Sequence, residues 1–315
     1  MLSSAVATLH NNSVHGEDNY LVRALGVEAG ISKSEVSRIC ADLDREVAAF
    51  RSRSLAHIAF PYLFLDATYL KARVDGRVVS RAVVIATGVT CDGGREVLGL
   101  DVGDSEDGAF WTAFLRSLKA RGLAGVQLVI SDAHTGLKAA ISAVMAGAGW
   151  QRCRVHFLRN VLARVPRGSA EMVAAAIRTI FAQPTGTEVV EQLDKVAAML
   201  QPKFPQVATM LLDAREDLTA FADFPAAHWT KIWSTNPLER VNKEVKRRTN
   251  VVGIFPDDAA VLRLAGAVLI ETHDEWQVAE RRYLSEGSMA KLATTGDDDP
   301  QPKEVRRATA ELVAT

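Results

Sequence analysis

The chain has 315 residues, 48% of them hydrophobic, and a formal charge of −1, enough apolar material for one large core or two ordinary ones in a globular protein. No run approaches the roughly eighteen consecutive apolar residues of a membrane span and no basic-then-apolar leader opens the chain, so a cytoplasmic protein with no membrane partner is expected. Three widely spaced cysteines, Cys40, Cys91 and Cys153, do not form a disulfide framework, and the near-neutral total means that any nucleic-acid partner has to be read from local patches.

Residues 1–17 are polar and carry no structural signal. From 18 to 56 a helical hairpin is expected: Tyr20, Leu21 and Leu25 mark a short helix, Gly26 and Gly30 frame a turn, and Ser32-Lys33-Ser34-Glu35 is a capping box with Ile31 and Val36 as its staple. Val36, Ile39, Leu43 and Val47 continue the apolar face. The pattern is compatible with a DNA-reading helix-turn-helix exposing Lys33, Ser34, Ser37 and Arg38, and equally with an ordinary helical hairpin.

After a junction at Arg51 to Ala56 the periodicity changes. Tyr62 to Tyr69 reads as a buried strand with Asp66 at or near its end. Asp75-Gly76 signals a tight hairpin into a strand over Arg77 to Val89, and Asp92-Gly93-Gly94 a second turn into Glu96 to Val102. Asp104 or Ser105 is positioned to cap a helix that buries Phe110, Phe114, Leu115 and Leu118 and stops at Gly122. Val126 to Ser131 is a further apolar run that delivers Asp132, followed by a helix over Thr135 to Met145.

That order, three hairpin-linked strands, helix, strand and helix, gives an α/β (α+β) fold with a ribonuclease H-like mixed sheet and flanking helices. Two aspartates at neighbouring strand ends could bridge two divalent ions about 4 Å apart for an in-line phosphodiester displacement, and oxygen donors suit Mg²⁺ or Mn²⁺. Each aspartate alone also fits a turn or an N-cap; their recurrence in this strand order favours the metal reading.

Arg152 to Arg167 holds five arginines and no acid, among them Arg152, Arg154 and Arg159 around His156, which reads as a phosphate-contacting surface. Cys153-x-x-His156 lacks a second pair of suitable spacing, so structural zinc is not expected. The core's first part, 57–167, is then interrupted by an all-helical insertion at 168–228, whose helices carry Val173, Ile177, Leu193, Leu200 and Leu211 inward. In the second part, 229–290, Asn236 is expected to cap a helix with Pro237 at its first position and Leu238, Val241 and Val245 facing the core. Glu239 and Glu244 flank that apolar stripe at similar angles, so helical geometry does not choose between them. Glu239 shares its flank with Asn242 and Lys246, whereas Glu244 has Arg240 and Arg248 four residues away on either side, spacings that make ion pairs. Capping-box return of Glu239 to Asn236 and a solvated charged face are the structural alternatives. A long helix from Pro256-Asp257 to Trp276 is expected to pack on the sheet, and 291–315 to form a mobile tail.

Asp-Ala-x-Tyr at 66–69, Ser-Asp-Ala-His at 131–134, Cys-x-x-His at 153–156 and Asn-x-x-Glu-Arg-x-Asn-x-Glu-x-Lys-Arg-Arg at 236–248 together resemble the Mutator-type bacterial insertion-sequence transposases. The resemblance runs from about Asp18 to about Ser285. It implies a DDE recombinase in which Asp66, Asp132 and Glu239 hold Mg²⁺ or Mn²⁺, with two ions expected. Arg152, Arg154, His156, Arg159, Arg240, Asn242, Lys246, Arg247 and Arg248 would contact DNA, at element inverted repeats and target, in a homo-oligomer on the DNA. Such proteins carry a further helical region before the point where this match begins, so weak end recognition beside an intact catalytic site is expected. The competing functions are a ribonuclease H-like nuclease that only hydrolyses, and a non-catalytic DNA-binding relic that interferes with a full-length transposase.

Overall fold

The computed structural model describes residues 32–104 and 107–294. The expected helix at Tyr20 to Leu25, the Ile31 staple, the Ser105 cap and most of the tail lie outside them. In chain order the elements are α1 (Lys33–Ser52), β1 (Tyr62–Val74), β2 (Arg77–Val89), β3 (Arg95–Gly103), α2 (Gly108–Ala120), β4 (Leu128–Ser131), α3 (Thr135–Val144), β5 (Gly149–Arg152) and α4 (Arg154–Leu162). Then come α5 (Arg167–Ile180), α6 (Gly186–Leu200), α7 (Pro205–Asp213), α8 (Arg215–Thr219), α9 (Trp229–Ile232), α10 (Asn236–Thr249), β6 (Ile254–Phe255), α11 (Asp258–Gln277) and α12 (Glu286–Thr294).

The sheet runs in the order β3-β2-β1-β4-β5. β1, β2 and β3 are antiparallel neighbours, whereas β4 lies parallel to β1 and β5 parallel to β4. This is the ribonuclease H-like arrangement, and its first hairpin is set by chemistry: Asp75 and Gly76 both adopt positive φ, 50° and 74°, as a type I′ turn requires.

Alternation along β1 sends Leu63 and Leu65 to one face and Tyr62 and Phe64 to the other. The first face packs against Trp111, Phe114, Leu115 and Leu118 of α2 and Leu137 and Ile141 of α3. The second is covered by Leu238, Val241 and Val245 of α10 and Val261, Leu264 and Val268 of α11, in a core that continues into the helices of residues 167–219. Because the sheet is covered on both sides, β2 is buried without interruption from Ala82 to Val89. α1 starts at Ser32, whose hydroxyl accepts the Glu35 N–H at 3.2 Å as the capping box predicts, and packs on α11. Asp257 caps α11 in the same way.

Several boundaries differ from the sequence expectation. β1 does not stop near Asp66 but continues to Val74, so Asp66 is a mid-strand residue. α2 is capped by Asp107, whose side chain accepts the Ala109 N–H, and not by Asp104. β5 and β6 are strands of four and two residues, too short for a periodic signal. Residues 291–294 belong to α12, with Leu292 buried, and not to the tail.

Among the ties between the sheet and the helices between β5 and α10 is one buried amide. Gln151 is fully buried; its Oε1 accepts the Phe221 N–H at 2.8 Å, and its Nε2 donates to the Arg152 and Leu218 carbonyls at 2.8 and 3.2 Å. Gln151→Leu strands a buried N–H and a buried carbonyl, so urea unfolding is expected to show a loss of about 2–4 kcal/mol. A loss below about 0.5 kcal/mol would mean that this amide is not one of the ties.

Candidate active site

The register of β1 with β4 pairs Tyr62 with Leu128 and Phe64 with Ile130, an offset that, carried two residues further, sets Asp66 opposite Asp132. Neighbouring strands lie about 4.8 Å apart. Alternation turns both aspartates toward the face of Tyr62, Phe64, Leu128 and Ile130, which is the face under α10. β4 covers the edge of β1 only at Tyr62 to Phe64, and β6 covers it again only at Lys71 and Ala72. Asp66 therefore lies in an unpaired stretch of strand edge, and α10 fills the gap: Asn242 Nδ2 donates to Asp66 Oδ2 at 2.8 Å.

Each aspartate is also held by its own backbone. The Ala67 N–H donates to Asp66 Oδ1 at 2.9 Å, and the Ala133 N–H to Asp132 Oδ1 at 2.7 Å. Burial pushes the Asp66 carboxyl up to about 6; the Ala67 N–H and His156 oppose this, while Asp132 and Glu239 add to it. His156 is in turn pushed up to about 9, chiefly by the Cys153 sulfur against it and further by Asp132 and Asp66, with burial opposing. Its Nδ1 is buried without a hydrogen-bond partner. Burial alone would raise the Cys153 thiol, but His156 and Thr235 outweigh it and hold the thiol below its ordinary value. The Thr235 N–H and hydroxyl both donate to that sulfur at 3.4 Å. This contact fixes the loop before α10 to the start of α4, and with it the approach of α10 to β1.

Thr235, not Asn236, is the N-cap of α10, and it makes no side-chain cap bond because its hydroxyl is engaged with Cys153. Asn236 is already the first helical residue and Pro237 the second. The capping box with Glu239 is therefore absent. Glu239 is half-buried and lies three residues before Asn242, on the same flank. Glu244 is paired with Arg247 and Arg248 at 2.7 Å each, and not with Arg240. Hydrogen bonds from those two arginines hold its carboxyl down to about 2.

The residues expected on DNA divide into groups. His156 and Arg152 stand beside the acidic pair. Arg152 is half-buried over Phe157 and lies in the field of Asp132 and Asp217, which opposes the lowering of its pKa by burial. Asn242 is buried against Asp66. Arg154 stacks on Trp233 at 3.9 Å and on Phe181 at 5.2 Å, so it locks α4 to the following helices. Arg248 is shared between Glu244 and Glu271. Arg159, Lys246 and Arg247 are exposed, and Arg240 opens on a cleft on the other side of α10.

A sheet of this topology, flanked by helices on both faces, has the ribonuclease H-like fold found in transposases. The chain belongs to a particular family within it: residues 2–279 match the family described as "Transposase, Mutator family". It is 47% identical over 312 residues to the transposase for insertion sequence element IS1081 of Mycobacterium tuberculosis, covering 98% of this chain and 75% of that protein. The IS256 transposase of transposon Tn4001 from Staphylococcus aureus is 38% identical over 257 residues, 81% of this chain and 66% of that one. The Drosophila P element transposase strand transfer complex matches with a TM-score of 0.33 at 11% identity, over 91% of this chain and 83% of that one.

Donor chemistry in the site suits a hard divalent ion: Asp66 is a buried carboxylate whose proton affinity is raised chiefly by burial and further by the charges of Asp132 and Glu239, so a cation there would relieve all three. Among the described residues, no three His, Cys, Asp or Glu side chains are already drawn together at ligating positions. No described helix is long and apolar enough to cross a membrane.

Proposed function

We propose that this chain is a DDE transposase that cleaves a phosphodiester at an insertion-sequence end and joins the freed end to target DNA. The observation that carries the reading is the in-register facing of Asp66 and Asp132 in an edge gap closed by the helix bearing Glu239 and Asn242. Asp66, Asp132 and Glu239 would hold Mg²⁺ or Mn²⁺; when bound, such ions polarise phosphoryl oxygen and make water a nucleophile near neutral pH.

The chain's own residues do the positioning. Asn242 and the Ala67 and Ala133 amides aim the aspartate oxygens. His156 and Arg152 put positive charge beside the acids, where a phosphate would enter, and the exposed Arg159, Lys246 and Arg247 hold duplex backbone, in a homo-oligomer assembled on the DNA. In the first step water attacks phosphorus and the P–O3′ bond breaks, leaving a 3′-hydroxyl on the element and a 5′-phosphate on the flank. In the second that hydroxyl attacks a target phosphodiester, a new P–O3′ bond forms and a target 3′-hydroxyl leaves. No covalent bond to protein is needed.

Incubating the chain with Mg²⁺, pre-cut element ends and a target plasmid is expected to give joined products on a sequencing gel. Hydrolysis without joining would make it a nuclease, and neither reaction under conditions of proven DNA binding would leave the relic reading standing.

A further inference from the structure

Behind the first turn of α10, on the side away from Asp66, lies a cleft of about 870 Å³ lined by Lys231, Asn236, Arg240 and the strap Glu280 to Tyr283, with Arg95 at its back. A second cavity of about 390 Å³ adjoins it and shares Arg95 and the strap. Five cations line the larger cleft, Arg95, Lys231, Arg240, Arg281 and Arg282, with Glu280 as its acid, and the adjoining cavity adds Asp92 and Glu96. Among the described residues, only Arg282 has carboxylate partners, Asp92 at 2.5 Å and Glu286 at 3.1 Å.

Arg95 is held by rings and not by an acid: its guanidinium lies 4.2 Å from the Trp276 ring centre and 4.6 Å from that of Tyr283, whose other visitor is Lys231 at 5.1 Å. Burial lowers the Arg95 pKa, Tyr283 opposes this and the charge of Arg240 adds to the lowering, so the cations of the cleft repel one another. The strap that completes it is fastened by design of the backbone. The Leu284 N–H donates to the Gly93 carbonyl at 3.0 Å, and a Cβ on Gly93 would meet the Leu284 oxygen at 2.0 Å. Cations oriented by aromatic rings and outnumbering the acids in a fixed cleft favour the entry of an anion.

We infer that this cleft binds the phosphodiester backbone of the DNA strand that runs past the scissile bond. The inference rests on the proposed transposase function, because the cleft and the acidic site are separated only by α10, about 10–12 Å across, and share its first turn through Arg240 and Glu239. A strand leaving Asp66 and Asp132 over that turn enters the cleft within a few nucleotides. The ligand chemistry is the same for the element strand, its flank and the target.

The test uses the full chain. Lys231→Ala/Arg281→Ala, both exposed in the wild type, is compared with wild type and Glu239→Gln by fluorescence anisotropy on a fluorescein-labelled duplex with a 3′ single-stranded extension, over a range of salt concentrations. The double variant is expected to bind about tenfold or more weakly near physiological salt and to flatten the plot of log affinity against log salt by about 1.4–1.8, with an unchanged melting curve. An unchanged slope overturns the cleft. If the wild-type chain cleaves and joins element ends in the same preparations, the transposase reading survives that failure; if it does neither, that reading falls independently of the cleft.

Azidophenacyl probes on single phosphorothioates of the element strand, the flank or the target identify the source. A cross-linked peptide containing residues 279–285 is expected from one of them, and none from any placement overturns the assignment.

Discussion

Replacing Asp66 with asparagine is expected to abolish strand cleavage and, in metal-free buffer at pH 7.5, to raise the melting temperature. The folded Asp66 carboxyl sits at about 6, pushed there first by burial and then by Asp132 and Glu239, against about 3.9 in an unfolded chain. The folded state therefore binds this proton more tightly. Its contribution to stability is complete below the unfolded value and is lost as pH rises through the folded one. At pH 7.5 the ionised carboxylate is a burden of about 1–3 kcal/mol, which an amide does not carry. Differential scanning calorimetry should show the variant melting several degrees higher at pH 7.5, with the gap closing toward pH 4. Added Mg²⁺ should stabilise the wild type and not the variant, by mass action on a site only the wild type has. A variant that melts lower at pH 7.5, or responds equally to Mg²⁺, would refute the account of Asp66 as a strained metal-seeking carboxylate.

The strain belongs to a position that the sequence showed only in part. Asp75-Gly76 and the alternating apolar runs made β1 to β3 readable, because turn chemistry and period-two burial are local. The end of β1 was not readable. Past Leu65 the strand leaves β4 behind and its burial turns intermittent, while its next partner, β6, is two residues long. Asp66 reads as a strand end because the apolar run of Tyr62 to Leu65 stops there. Asn236 looked like a cap because Asn-Pro often starts a helix, but the chain turns one residue earlier, where Cys153 holds Thr235. The resemblance puts Asn242 among the DNA contacts, and the structure sets it on Asp66; its spacing of three from Glu239 is the signal the sequence offers. Arg95 and Arg281 give no signal and Lys231 reads only as the start of the basic run to Asn250, since more than a hundred residues separate Arg95 from the others and tertiary contacts such as Leu284 to Gly93 and Arg282 to Asp92 bring them together.

The choice between Glu239 and Glu244 is where the two kinds of information meet. Helical angle leaves it open, whereas the structure gives the two glutamates different surroundings. Glu244 already accepts from Arg247 at 2.9 and 2.7 Å and from Arg248 at 2.7 Å, and its pKa of about 2 reflects those bonds. Drawing it into a metal site would break them and leave Arg248 with Glu271 alone. The Glu239 side chain makes no hydrogen bond among the described residues, and its charge is felt at Asp66. Glu239→Gln is thus expected to fold normally, bind DNA as wild type does and lose Mg²⁺-dependent cleavage by about 10³-fold or more, the size of effect that follows loss of a charge-stabilising group at a reacting phosphate. Glu244→Gln should keep cleavage within about tenfold of wild type, since its pairs are on the protein surface. Single-turnover cleavage of both variants, measured at saturating DNA, separates the two. Robust activity in Glu239→Gln together with its loss in Glu244→Gln would transfer the third acid to Glu244 and require α10 to rotate on β1 when DNA binds.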